Sequence, residues 1–101
     1  MEEIIMNLIM HSGEARSYAM EAMADAKSGD IEGAREKITK ASEQLTEAHH
    51  SQTALIQGEA GGNKAEFSLL LMHAQDHLMT TMTLKDIASE IVDIHEKLQA
   101  K

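Results

Sequence analysis

The stretch Leu69-Leu-Leu-Met-His-Ala-Gln-Asp-His-Leu-Met-Thr-Thr-Met-Thr-Leu84 sets the terms for the rest of the chain. It carries two histidines and an aspartate in a Leu- and Met-rich run without proline or glycine, a pattern that reads as an uninterrupted helix. Polar side chains on an apolar helix cost stability unless something satisfies them. His73, Asp76 and His77 lie three and four residues apart, so on an α-helix they share one face and can act together. Imidazole and carboxylate stacked in this way point to a metal site or to a nucleophilic histidine with supporting groups.

Downstream, Leu84, Ile87, Ala88, Ile91, Ile94 and Leu98 continue the apolar side, and the helix is predicted to end near Gln99. Upstream, Asn63 and Glu66 have capping-box spacing, which starts this third helix at about residue 64. Gly58-Glu-Ala-Gly-Gly-Asn63 is too glycine-rich to continue a helix. It closes a second helix, over about residues 31–57, whose stripe is Ile31, Ala34, Ile38, Ala41, Leu45, Ala48 and Leu55, with Gln52 as its polar exception. His49 and His50 are adjacent and point to different sides, so at least one is ordinary surface. Ser28-Gly29-Asp30 is a tight turn in which Gly29 takes the left-handed conformation and Asp30 caps the helix that follows. The first helix, over about residues 2–28, buries Ile4, Ile5, Leu8, Ile9, Ser12, Ala15, Ala19, Ala22, Met23 and Ala26. Gly13 sits inside it at a cost of about 1 kcal/mol relative to alanine, which is expected either to mark a close approach by another backbone or to be simply tolerated.

The 101 residues form one domain, with no proline, tryptophan or cysteine and with eight methionines. The expected fold is all-α, an antiparallel three-helix bundle over residues 1–101. Nine basic against seventeen acidic residues give a net charge of −8, which argues against nucleic acid or an anionic membrane as partner. Without cysteine there is neither a disulfide frame nor a thiolate zinc site. The opening Met-Glu-Glu-Ile-Ile-Met lacks the features of a signal peptide, and no apolar run reaches membrane-spanning length, so a cytoplasmic location without membrane insertion is expected. The run from Phe67 to Leu71 is apolar nearly all round, more than one small bundle can cover. Self-association with the third helices central follows.

Heptads through the third helix place Leu69, Met72, Asp76, Met79 and Thr83 on a single seam, putting a carboxylate where the assembly should be driest. In a parallel trimer three Asp76 carboxylates would meet on the axis, and a hard cation or shared protons would have to resolve their repulsion. The plainer alternative is that Asp76 faces a solvated groove. An imidazole with an ordinary pKa near 6.5 is largely neutral at cellular pH, so His73 keeps a lone pair able to attack phosphorus without a separate base. Gln75 and His77 offer hydrogen-bonding groups nearby, and Met72, Leu78 and Met79 offer apolar surface to exclude water. A zinc-enzyme helix built on His73 and His77 fares worse, because Ala74 stands where the protease motif needs glutamate and no third ligand is evident. There is no nucleophile elbow and no phosphate-cradling loop. A non-catalytic helical adaptor and a metal-binding bundle remain as other readings of the same pattern.

His73-Ala-Gln-Asp-His-Leu-Met-Thr-Thr81, supported by Ser12-Gly-Glu-Ala-Arg-Ser17 and Glu47-Ala-His-His-Ser-Gln-Thr53, resembles enzyme IIA of the lactose/cellobiose class of the bacterial phosphoenolpyruvate-dependent sugar phosphotransferase system. The resemblance spans essentially the whole chain. It implies a homotrimer forming a nine-helix bundle, with the phosphoryl group carried on His73. It also implies a divalent cation, magnesium for instance, held by Asp76 at the trimer axis, and supporting roles for Gln75 and His77. The implied relay takes phosphate from phospho-HPr and passes it to a cysteine of enzyme IIB. Some relatives have an additional amino-terminal segment ahead of the first helix. The His-Ala-Gln form of the motif is nearer the cellobiose/diacetylchitobiose branch than the lactose branch, so a β-linked disaccharide is the expected sugar.

Overall fold

In the computed structural model, residues 2–63 and 67–100 are described. They form three helices, α1 (Glu2–Lys27), α2 (Ile31–Ala60) and α3 (Leu69–Gln99), laid side by side in a rod measuring 57 × 19 × 16 Å. No strand occurs among the described residues. The core is built largely from alanine. Ala15, Ala19, Ala22 and Ala26 of α1 meet Ala34, Ala41 and Ala48 of α2 and Ala74 and Ala88 of α3, with Leu8, Leu45, Leu78 and Val92 filling the wider gaps. Small side chains let the helices approach closely, and the buried residues gather into two clusters, one around Leu8, Leu45 and Leu78 with Tyr18 packed against it and one around Val92.

The α1–α2 turn is closed as the sequence predicts. Gly29 has φ 98°, its amide donates to the Ala26 carbonyl, and the Asp30 amide reaches back to Asp25 at 2.9 Å. This six-to-one closure satisfies the last carbonyls of α1. The Asp30 carboxylate then accepts from the Gly33 amide at 2.9 Å and caps α2.

The end of α2 differs from the sequence expectation. The helix passes through Gly58 to Ala60, three residues beyond the predicted end, and stops by the same device. Gly62 has φ 97°, its amide donates to Glu59, and the Asn63 amide donates to Gly58 at 2.8 Å. Glycine lowers helix stability but does not itself end a helix; the left-handed residue does. The start of α3 also differs. The Ser68 side chain accepts from the Leu71 amide at 3.0 Å, so the cap is Ser68 and the helix begins at Leu69 rather than at about residue 64. Residues 64–66, including the Glu66 of the expected capping box, lie outside the described residues.

Polar contacts tie the bundle end remote from His73. Arg35 of α2 donates to Asp93 and Glu96 of α3 at 3.0 and 2.8 Å, Lys37 bridges Glu21 and Asp25 of α1, and the Gln99 amide caps the Gly29 carbonyl at 2.8 Å. All are exposed or partly exposed, so they fix helix register more than they add stability.

Candidate functional site

The α3 backbone decides where each polar group of the central stretch goes. At about 100° per residue, His77 falls almost under His73, Asp76 lies to one side, and Gln75 points roughly the opposite way. The His73 and His77 rings stack in parallel, with centroids 6.0 Å apart and an interplanar angle of 2°. His73 is exposed and lines a shallow hollow with Leu69 and Leu70. His77 is half-buried between α3 and α1, where a side chain built at Gly13 would lie 3.8 Å from its Nε2. That is an ordinary van der Waals distance and no backbone of another helix comes as near, so Gly13 marks no close backbone approach and is a tolerated helix glycine facing the His77 ring.

Burial pushes the His77 imidazole below its ordinary value of 6.5, the charges of His73 and Arg16 push it further, and Asp76 opposes them. At neutral pH the ring is uncharged, with one nitrogen donating and the other accepting. The sign of the linkage follows. The unfolded chain takes up a proton at His77 near pH 6.5 and the folded chain only at lower pH, so stability falls as the pH drops through that window. Thermal melts from pH 7.5 to 5 should show a smaller acid loss in His77→Gln than in the parent. Equal losses in both would remove His77 as a contributor.

Gln75 stands apart from this pair within the protomer. Its side-chain carbonyl accepts from Gln52 Nε2 at 2.8 Å, and Gln52 also lies 3.6 Å from the Met79 sulfur. This bond accounts for Gln52 as the polar exception in the α2 stripe. Asp76 is exposed and shares a groove of about 430 Å³ with Leu55, Ile56, Phe67, Leu71, Met72 and Met79. The seam expected to be dry is thus open to solvent in the single protomer.

Among the described residues, no three His, Asp or Glu side chains converge into a metal site within one chain. His49 and His50 are both exposed and line a separate groove between α2 and α3, with Lys85 and Asp86. His11, which the sequence left unremarked, has its Nδ1 2.7 Å from Gln44 Oε1, a bond that ties α1 to α2.

An exposed histidine stacked on a neutral one, on a three-helix scaffold, fits a group carrier. The sequence model described as "PTS system, Lactose/Cellobiose specific IIA subunit" matches residues 3–96. The chain belongs to this IIA family. It is 59% identical over 98 residues to the lichenan-specific phosphotransferase enzyme IIA component of Bacillus subtilis, covering 97% of this chain and 89% of the relative. It is 47% identical over 100 residues to the N,N'-diacetylchitobiose-specific EIIA component of Escherichia coli, covering 99% and 86%. The crystal structure of the cellobiose-specific enzyme IIA from Bacillus anthracis superimposes with a TM-score of 0.96 at 54% identity, covering 99% of this chain and 92% of that one. The IIA chain in solution structures of the Escherichia coli IIA(Chitobiose)–HPr complex gives 0.84 at 46% identity, covering 97% and 95%. As a IIA component the chain is a phosphotransferase subunit that carries a phosphorylated histidine, which sets aside the adaptor and metal-bundle readings. Among the described residues of this IIA chain, no helix is long and apolar enough to cross a membrane.

Proposed function

We propose that His73 accepts a phosphoryl group from phospho-HPr and passes it to a cysteine of enzyme IIB, in the cytoplasmic uptake of a β-linked disaccharide of the cellobiose or diacetylchitobiose type. One observation carries the assignment: His73 is exposed on α3, while the parallel ring of His77, 6.0 Å away, is sunk against α1. A docked phosphoprotein can reach the first ring, and the second, neutral and held in place, can donate a hydrogen bond to a phosphoryl oxygen. The relatives named for lichenan, cellobiose and diacetylchitobiose support the sugar class, and the neighbour solved with HPr supports the donor. Transfer between positioned groups requires mainly alignment and charge stabilisation, so Gln75 acts indirectly, by fixing α3 against α2 through Gln52. The deciding experiment is intact mass after incubation with phosphoenolpyruvate, enzyme I and HPr. Gain of one acid-labile phosphoryl group per chain supports the reading, and no gain beside phosphorylated HPr rejects it.

The working unit on this reading is a homotrimer with α3 central. Leu69, Met72, Met79, Ile87, Ile94 and Leu98 are 84, 58, 51, 50, 56 and 58% exposed and run down one side of α3. Such a stripe is longer than a soluble monomer usually leaves open. Asp76 lies within it, and around a threefold axis its copies supply only hard oxygen donors, which suits magnesium or a similar cation. Three Asp76 carboxylates would hold the ion, whose charge would offset their repulsion. Chelator should shift the sedimentation of the parent toward smaller species and leave Asp76→Asn unchanged. A parent indifferent to chelator would assign the balancing charge to protons.

A further inference from the structure

We propose that Arg16 is the cationic holder of the phosphoryl group, its guanidinium reaching over the gap at Gly13 and past the edge of His77 to the phosphoryl oxygens. The inference rests on His73 as the carrier. Arg16 lies one turn after Gly13 on α1, so the two share a face, and that face meets His77 Nε2. Helical side chains lean toward the amino terminus, which carries the long Arg16 stem back over the position where Gly13 has no side chain. The charge of Arg16 is among those that push the His77 imidazole down, after burial and His73.

Arg16 is also uncommitted. Among the described residues Arg35, Lys37 and Lys85 each hold a carboxylate, whereas no carboxylate lies within ion-pair distance of Arg16. The side chain is exposed. In a chain of net charge −8, an exposed arginine left without a counter-ion on the face of α1 that meets His77, the ring stacked on the acceptor, is most simply explained by an anion that arrives later. A phosphoryl group brings a charge of about −1.5 to −2 and three strong acceptor oxygens, and the planar guanidinium fork can take two of them at once.

The step balances without a further reactant. The His73 lone pair forms a nitrogen–phosphorus bond as the donor imidazole's bond to phosphorus breaks, and that electron pair stays on the donor nitrogen. With a proton on the far nitrogen of each ring throughout, the donor leaves as neutral imidazole and His73 carries the phosphoryl group as an imidazolium. Arg16 holds the equatorial oxygens, where the negative charge lies during the transfer.

The test is rapid-quench transfer from phospho-HPr to the full chain as parent, Arg16→Gln and Arg16→Lys, with circular dichroism and sedimentation as controls for fold and assembly. Arg16→Gln should slow transfer at saturating phospho-HPr by on the order of 10²-fold, with KM within about twofold of the parent. Arg16→Lys should regain about tenfold, because it restores charge without the fork. Transfer by Arg16→Gln at the parental rate would overturn the proposal, and so would a loss confined to KM, which would place Arg16 in protein docking. A parent that gains no phosphate overturns the carrier assignment and this proposal together; a parent that loads normally beside an unaffected Arg16→Gln overturns only the latter.

Discussion

His73→Ala should gain no phosphoryl mass under conditions in which the parent gains one group per chain, and the loss should be complete rather than graded. Removing a group that orients or stabilises slows transfer by on the order of 10²- to 10³-fold. Removing the accepting nitrogen leaves no bond to form. The fold should survive, because His73 is exposed and alanine is the better helix former by a few tenths of a kcal/mol. Circular dichroism of the variant should overlay the parent. His77→Ala makes the informative companion: with its ring in the proposed supporting role, it should still load, more slowly. The reverse result, loading by His73→Ala and none by His77→Ala, would move the carrier to the half-buried ring. Loading by both would move it away from this pair, to His11, His49 or His50, or to His95 further along α3.

The sequence carried the helices because their signals are local and repeated. Alanines at heptad spacing in α2 and the Gly29-Asp30 turn each predict one structural element, and the structure contains both. The boundaries around residues 58–69 were less legible. Gly58 reads as a breaker, yet the helix ends only where Gly62 adopts positive φ, and the choice among the glycines rests on backbone closure rather than on composition. Ser68 and Asn63 are both capping residues, and the sequence alone does not rank them.

At the site, the i, i+4 spacing correctly paired His73 with His77. Gln75, two residues from His73, lies on the far side of the helix within the protomer and is bonded to Gln52, a partner its spacing from His73 does not signal. Arg16 was hidden too: it belongs to another helix, and only tertiary packing brings it to His77.

The exposed stripe on α3 leads to the second large effect. Met79→Glu should convert the proposed trimer into free chains at micromolar concentration. Met79 lies three residues from Asp76 on the same exposed side of α3, so in the proposed trimer the substitution would place three further carboxylates beside the three of Asp76. An uncompensated charge at a buried position costs about 3 kcal/mol or more. Applied to three chains, that is roughly six orders of magnitude in the association constant, more than cation binding at Asp76 would restore. Sedimentation velocity should show the parent at three times the 11.1 kDa chain mass and Met79→Glu at the single-chain mass. Thr39→Glu, which adds the same charge at an exposed position on α2, should leave the trimer intact. If Met79→Glu stayed trimeric on dilution, the α3 stripe would not be the interface and Asp76 would lose its place on an axis. If the parent itself ran as a single chain, six exposed Leu, Met and Ile side chains would need another partner, and His73, which flanks that face, would direct the search toward the proteins that exchange phosphate with it.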